Sequence, residues 1–234
     1  MQIIHSDTYE QMSIQGCDLL LDTIQKKNDA VICLATGSTP KRMYELLVHK
    51  INEQRIDLTN VTFVKLDEWY GLEPDHPSTC HTFIKQHLLD KLYMKPKCLI
   101  EFTSNAVDVT QELIKVETYL KEHPIDVMIL GLGMNAHLGL NEPSQQLTLG
   151  CHQVMLNSKT KTHDMIKGEH VESGMTIGMD GIFKSKQVLM LVSGSSKEDA
   201  YKDFMSGTIT TQVPASMLWL HTNCVCLVDT SQFK

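Results

Sequence analysis

The chain has 234 residues, of which 42% are hydrophobic and 21% are charged, and its formal net charge is −7. This composition is typical of a globular protein, and the length suffices for an α/β domain with a substantial core. No stretch concentrates lysine and arginine, which argues against a nucleic acid partner. No apolar run approaches the roughly 20 residues of a membrane-spanning helix, so no membrane partner is expected.

Cysteine usage and the first residues both bear on the cellular compartment. Seven cysteines, an odd number, occur without a Cys-x-x-Cys spacing. Buried, reduced thiols are therefore the favoured interpretation. The chain also does not begin with the basic and apolar segments of a signal peptide. We therefore expect a cytoplasmic protein.

Apolar runs of strand length alternate with helical segments along the chain. The predicted strands cover residues 1–4, 30–35, 62–66, 98–102, 127–130, 187–192 and 224–228. Helices are predicted after a Ser6 cap, from Pro40 to about 52, over 79–92 and 109–122, after Lys197 to about 206, and over 215–220. This alternation predicts a single α/β domain over 1–234, Rossmann-like, with a mainly parallel sheet and helices on both faces.

Four polar loops directly follow predicted strands. They cover residues 36–39, 67–71, 131–143 and 193–197. Because ligands of parallel sheets bind beyond the carboxyl ends of the strands, we expect these loops to converge on one site. The polar segment 144–175 has little apolar periodicity and is predicted to be a long excursion that covers the site.

Two of the loops have the layout of an anion site. The first consists of Thr36, Gly37, Ser38 and Thr39. Pro40 then opens a helix, whose N-terminal N–H groups can face a ligand. The ending of a P-loop is missing, and an ordinary capped turn explains the motif equally well. The second loop adds the positive charge of Lys197, although a solvated lysine in a first helical turn is the alternative.

Two adjacent carboxylates, Asp67 and Glu68, follow the 62–66 strand. Because side chains alternate along an extended backbone, one is expected to face the cleft and the other to point away. A carboxylate screened from water has a raised pKa and can shuttle a proton. A helix cap or a surface acid pair is the alternative.

The loop after the fifth predicted strand combines three glycines with an imidazole, two amides and a carboxylate. Gly131 and Gly133 permit a tight turn and a close approach to a ligand. Asn135 and Glu142 are near enough in sequence to orient His137, whose ordinary pKa lies near neutrality. The alternative is a histidine bonded only within its own loop. The loop has too few ligands for zinc, and no serine hydrolase elbow is present.

Five motifs occur in a fixed order along nearly the whole chain. They are Leu-Ala-Thr-Gly-Ser-Thr-Pro at 34–40, Leu-Asp-Glu at 66–68, Gly-Leu-Gly-Met-Asn-Ala-His at 131–137, Asn-Glu-Pro at 141–143 and Gly-Ser-Ser-Lys at 194–197. Their combination resembles the glucosamine-6-phosphate deaminase (isomerase) family. Segments 62–69, 77–80 and 214–221 are more similar to the galactosamine-6-phosphate isomerase branch of that family.

The resemblance implies a role for each candidate residue. Asp67 would be the base that moves a proton between C2 and C1 of the sugar. His137, helped by its two polar partners, would open the sugar ring. The 36–39 turn and Lys197 would hold the 6-phosphate. Galactosamine 6-phosphate would yield tagatose 6-phosphate and ammonia, with no cofactor or metal.

Three features depart from the family pattern. Asn135 stands where many members have aspartate, which leaves the relay with one carboxylate. Ala136 replaces a usual glycine and is expected to place a Cβ beside the substrate. The phosphate-binding arginine of the family has no counterpart in 157–170, where Lys161 and His163 are the candidates and His163 is preferred.

Three other functions are compatible with the sequence. They are a glucosamine-6-phosphate deaminase that gives fructose 6-phosphate, a hydrolase like 6-phosphogluconolactonase, and a non-catalytic sugar-phosphate sensor. The C-terminal extension of the allosteric hexameric relatives is not expected here. We predict a monomer or a small homo-oligomer.

Overall fold

The computed structural model describes residues 1–233. The strands are β1 (Gln2–Ser6), β2 (Val31–Leu34), β3 (Thr62–Lys65), β4 (Asp67–Tyr70), β5 (Cys98–Ile100), β6 (Val127–Gly131), β7 (His152–Met155), β8 (Ser173–Thr176), β9 (Gln187–Val192) and β10 (Cys224–Asp229). Seven of them form a parallel sheet in the order β1-β10-β9-β6-β2-β3-β5. The predicted α/β class with a mainly parallel sheet is confirmed.

Six α-helices connect the strands. They are α1 (Tyr9–Lys26), α2 (Ser38–Gln54), α3 (Cys80–His87), α4 (Val109–Glu122), α5 (Met179–Lys184) and α6 (Glu198–Met205). The chain moves across the sheet in one direction from β1 through β5 and then returns through β6, β9 and β10. Right-handed crossovers therefore place α1 to α3 on one face and α4 to α6 on the other. Within residues 1–233, no helix is both long and apolar enough to span a bilayer.

The order of the strands creates a switch point between β2 and β6. These two strands are neighbours in the sheet, and the connections that leave them run in opposite directions. At such a point the carboxyl ends of the strands open into a crevice. Both strands are buried apart from the last residue of β6, so the crevice has a rigid apolar floor.

Two predicted helix starts are wrong. Thr8 rather than Ser6 caps α1, because its hydroxyl accepts from Gln11 N at 3.2 Å while Ser6 ends β1. Helix α2 begins at Ser38, two residues before Pro40, and Gly37 is its N-cap. The left-handed φ of 97° at Gly37 lets the chain turn into the helix earlier than the proline signal indicates.

The prediction of a loop over 67–71 is also wrong, because β4 belongs to a second sheet. This antiparallel sheet has the order β4-β8-β7, and its other two strands come from the polar segment 144–175. Leu66 joins the sheets, since its amide donates to Leu34 O and its carbonyl accepts from Ile177 N. The four residues Asp-Glu-Trp-Tyr have no alternating pattern of their own and form a strand here through a distant partner.

Candidate active site

A cleft lies at the carboxyl ends of β2 and β6. It is lined by 35–39, Leu66, Asp67, Trp69, 131–134, His137, Gly139, Leu140, Thr160, His163 and Lys197. The four predicted loops thus converge, although the 193–197 loop contributes Lys197 alone to the lining. The excursion covers the cleft through Thr160 and His163. Residues 1–233 contain no group of three or more His, Cys, Asp and Glu side chains placed to hold a metal ion.

Asp67 is the first residue of β4, and its carboxylate borders the cleft. Cys80 Sγ lies 3.8 Å from Oδ1, and a Cβ on Gly139 would lie 3.4 Å from Oδ2. Burial raises the pKa of Asp67 to about 7; Glu68 adds to this effect, while Lys65 and Cys80 oppose it. A carboxyl group with this pKa exchanges protons at neutral pH, as a general base must.

The neighbouring Glu68 points away from the cleft and is fully buried. Lys65 Nζ donates to Oε2 at 2.6 Å, and the amides of Cys80 and His81 donate to the carboxylate at 2.9 and 3.0 Å. These bonds fasten the N-terminus of α3 to β4. The two adjacent carboxylates therefore divide as strand alternation predicts, with Asp67 at the cleft and Glu68 inside the protein.

Asn135, His137 and Glu142 form one cluster. Glu142 Oε2 lies 3.5 Å from His137 Nδ1 and accepts from Asn135 Nδ2 at 2.7 Å. Asn135 Oδ1 also accepts from the amide of His137 at 3.3 Å. His137 lines the cleft, and the other two side chains support it from behind.

The charge state of Glu142 defines what His137 can do. Burial opposes ionisation of Glu142, but hydrogen bonds from His137, Thr160 and Asn135 prevail and lower its pKa to about 2. The ionised carboxylate holds the proton on Nδ1, which leaves Nε2 free to exchange a proton with a ligand.

A glycine is required directly beneath the imidazole. A Cβ on Gly133 would lie 2.3 Å from His137 Cδ2, which is far closer than any real contact. The backbone of Gly133 is also bonded within the loop, since its amide donates to His137 O at 3.0 Å and its carbonyl accepts from Ala136 N at 3.0 Å. Gly133 thus serves the close approach that the sequence predicts.

Thr160 belongs to this cluster and was not identified from the sequence. Its side chain is buried, and Oγ1 lies 3.3 Å from His137 Nδ1. It begins a short 3₁₀ helix, Thr160–Thr162, in the excursion. Nothing in the sequence separates it from the other threonines of this polar segment, so the contact depends on the tertiary structure alone.

The same cleft has the features of an anion site. Thr36, Gly37, Ser38 and Thr39 all line it. Among residues 1–233 no side chain caps α2, so the first N–H groups of that helix are available to a ligand. Lys197 lies in the same lining; burial lowers its pKa, and Asp164 opposes the shift.

His163 and Lys161 are placed differently. A Cβ on Gly37 would lie 3.6 Å from His163 Nε2, so this imidazole faces the 36–39 turn. His163 Nδ1 accepts from Met165 N at 3.2 Å, which leaves Nε2 as the protonated donor. Burial, reinforced by Lys197, lowers the pKa of His163 to about 4 and keeps the ring neutral. Lys161 instead pairs with Glu172, outside the cleft.

The expectation that Ala136 places a Cβ beside the substrate is wrong. Ala136 is 1% exposed, packs in the main core and does not belong to the cleft lining. Its φ of 62° is left-handed, which is uncommon for alanine. Its carbonyl accepts from Ala215 N at 2.9 Å, and this bond helps to hold the conformation.

The doubly wound sheet and the acid/base groups at its switch point define an α/β enzyme. Residues 6–227 match the family model described as glucosamine-6-phosphate isomerases/6-phosphogluconolactonase. The chain belongs to this family, as the five motifs indicate.

Several known proteins resemble the chain over nearly its full length. It is 41% identical over 226 residues to a protein of Escherichia coli (strain K12) whose name designates it a deaminase, AgaI, with 96% of this chain and 90% of that protein covered. It is 35% identical to a glucosamine-6-phosphate deaminase of Thermoanaerobacter pseudethanolicus, with 98% and 92% covered.

Solved structures agree with the fold. A monomeric glucosamine-6-phosphate deaminase matches with a TM-score of 0.93 at 31% identity, covering 99% of this chain and 98% of that one. The 6-phosphogluconolactonase of Trypanosoma brucei matches with a TM-score of 0.76 at 18% identity, covering 98% and 96%. The second likeness shows a shared fold alone.

Proposed function

We propose that this chain is an amino-sugar phosphate deaminase that converts galactosamine 6-phosphate into tagatose 6-phosphate and ammonia. The observation that carries the proposal is one cleft lined by both Asp67, with its raised pKa, and His137, which Glu142 supports from behind. The family, and relatives named as deaminases, support the reaction class.

In the proposed reaction, His137 acts first. Its Nε2 takes the proton of the O1 hydroxyl and returns it to the ring oxygen, which opens the sugar to the aldehyde. Glu142 stabilises the imidazolium while the ring carries that proton. Asp67 then removes the C2 proton while O1 takes up a proton, which gives an enolamine. Asp67 delivers its proton to C1 and the amino group releases one proton, which gives the C2 imine and balances the proton taken up by O1. Water adds to the imine, ammonia leaves, and the ketose 6-phosphate remains.

The 6-phosphate is proposed to bind at the 36–39 turn. The N–H groups of the 36–39 turn would donate to its oxygens, and Lys197 would supply a full positive charge. His163 would add a neutral N–H donor from Nε2. This assignment leaves the sugar carbons between the phosphate site and the two acid/base groups.

Two observations bear on the sugar epimer. Trp69 and Cys80 belong to segments that resemble the galactosamine branch. Trp69 lines the same cleft as Asp67, the proposed catalytic base, and Cys80 contacts Asp67. These positions support the galacto substrate. The close structural match to a glucosamine-6-phosphate deaminase supports the gluco epimer as the second candidate.

Ammonia release from the two epimers tests the proposal. The purified protein is incubated separately with galactosamine 6-phosphate and glucosamine 6-phosphate, and ammonia and ketose are measured. We expect a higher kcat/KM for galactosamine 6-phosphate. Asp67→Asn is the matched control, and it should release no ammonia and exchange no C2 proton with deuterated water.

Each alternative has its own outcome in this assay. Faster ammonia release from glucosamine 6-phosphate would assign the gluco epimer. Hydrolysis of 6-phosphogluconolactone without ammonia from either amino sugar would assign a lactonase. Tight binding of an amino-sugar phosphate without turnover would assign a sensor.

A further inference from the structure

Cys80 is in contact with both carboxylates at the start of β4. Its amide donates to Glu68 Oε1 at 2.9 Å, and its Sγ lies 3.8 Å from Asp67 Oδ1. On its other side, Thr36 Oγ1 donates to Sγ at 3.3 Å. The side chain is 1% exposed, so water does not compete for these contacts.

We propose that the Cys80 thiol is a positioning residue for Asp67. It accepts from Thr36 in the anion-binding turn and donates its S–H to the Asp67 carboxylate. This fixes the carboxylate in the cleft and joins the base to the turn through one chain of hydrogen bonds. The inference rests on the proposed function, in which Asp67 is the base.

The fold supplies the thiol in a defined place. Cys80 is the first residue of α3, and Thr79 caps that helix by accepting from Thr82 N at 3.1 Å. Glu68 holds the N-terminus of α3 from below through two amides. The direction of the Cys80 side chain is thus determined by a rigid helix end and not by a flexible loop.

A thiol suits this position because it is a weak donor. A strong donor would stabilise the carboxylate and lower its pKa, which would make Asp67 a poorer base. Burial keeps the Cys80 thiol protonated by raising its pKa. Lys65 and Glu68 are the charged groups that act on both Asp67 and this thiol, and Asp67 in turn contributes to the raised pKa of Cys33 and of Tyr44.

Two variants of Cys80 and one control test the proposal. Cys80→Ala removes the donor, so the acid limb of the kcat/KM profile should move to higher pH and kcat/KM at pH 6 should fall about three- to tenfold. Cys80→Ser keeps a donor, so the acid limb of its kcat/KM profile should lie at the wild-type pH or at a lower pH. Cys17→Ala removes a buried thiol far from the cleft and should leave the profile unchanged. Equal loss in both Cys80 variants with an unmoved limb, or no change in either, would overturn the proposal.

A spectroscopic measurement keeps the inference separate from the deaminase assignment. The infrared difference between wild type and Cys80→Ser gives the S–H stretch of Cys80 without any substrate. This band should shift as Asp67 titrates near pH 7, and the shift should vanish in an Asp67→Asn background. A band that does not respond to pH would refute the contact even if ammonia is released. Absence of ammonia with a pH-dependent band would refute the proposed function and leave the contact in place.

Discussion

His163 and Lys161 are two residues apart, yet they face opposite sides of the excursion. His163 Nε2 faces the 36–39 turn, and Lys161 pairs with Glu172. Lys161, which carries a positive charge, therefore does not line the cleft, whereas His163 does. The neutral imidazole of His163 can serve as a donor at the cleft, because its Nδ1 accepts from the backbone and its Nε2 is left to donate.

A pair of alanine variants tests this placement. His163→Ala should raise KM about tenfold with a smaller change in kcat, since one hydrogen bond to a charged phosphate is lost. Lys161→Ala removes an exposed ion pair and should leave KM within twofold of wild type. Steady-state kinetics on both variants decides the matter. A larger KM effect for Lys161→Ala would contradict the assignment.

At the scale of the elements, the excursion contributes a second contact to the cleft, through its 3₁₀ helix. Its 3₁₀ helix Thr160–Thr162 brings Thr160 against His137, while Thr162 Oγ1 donates to Lys159 O on the exposed side. The excursion thereby contacts the cluster around His137 as well as the 36–39 turn.

Two threonine variants separate these effects. Thr160→Val keeps the shape but removes the hydroxyl that helps to orient His137 and Glu142, so kcat should fall about tenfold with little change in KM. Thr162→Val is the matched control and should keep wild-type kinetics. Both are measured with the amino-sugar phosphate that proves to be the better substrate. Equal kinetics for the two variants would remove Thr160 from the cluster.

The junction between the two sheets depends on a buried ion pair. Lys65 and Glu68 are at most 1% exposed, and Glu68 also receives the first amides of α3. Burial alone would lower the pKa of Lys65, but Glu68 and Glu101 raise it and keep the ammonium charged.

Removing one partner of this pair should be costly. Glu68→Ala removes the buried acceptor of the Trp69, Cys80 and His81 amides and leaves the Lys65 ammonium with Glu101 and Phe102 O alone. The free energy of unfolding should therefore drop by about 3–5 kcal/mol. Asp22→Ala, which breaks an exposed pair on α1, should change it by less than about 1 kcal/mol. Urea unfolding of both variants measures the difference. A small effect for Glu68→Ala would show that the junction does not rely on the pair.

At the scale of the whole molecule, the raised pKa of Asp67, the proposed base, lowers stability. The pKa of Asp67 is about 7 in the folded protein and near 3.9 in an unfolded chain. Between these values the folded state binds the additional proton, so the contribution of Asp67 to stability falls as the pH rises from about 4 to 7.

Asp67→Asn should therefore be inactive yet more stable than wild type at pH 8. Because the carboxylate borders the cleft, we expect a gain of about 1–3 kcal/mol rather than the roughly 4 kcal/mol that the full difference between the folded and unfolded pKa values would give. The gain should shrink when unfolding is measured at pH 5. A gain that is equal at both pH values would contradict the raised pKa.

Local patterns determined the alternation of strands and helices and the order of the loops. Runs such as 127–130 and 187–192 are apolar because a central parallel strand packs against helices on both faces. The sequence alone therefore identifies these strands. Because parallel strands have their carboxyl ends at one edge of the sheet, the loops that follow them are predicted to converge. This convergence predicts that Asp67, His137, Lys197 and the 36–39 turn lie together. The single-domain organisation over 1–234 stays a prediction.

Only the tertiary structure decided what depends on distant partners. The strand at Asp67–Tyr70 forms because Ser173–Thr176 pairs with it, more than a hundred residues later. Thr160 contacts His137, and Cys80 contacts Asp67, through folding of segments whose sequences do not predict these contacts. Contacts between residues far apart in the chain have no periodicity or spacing in the sequence, so packing alone reveals them.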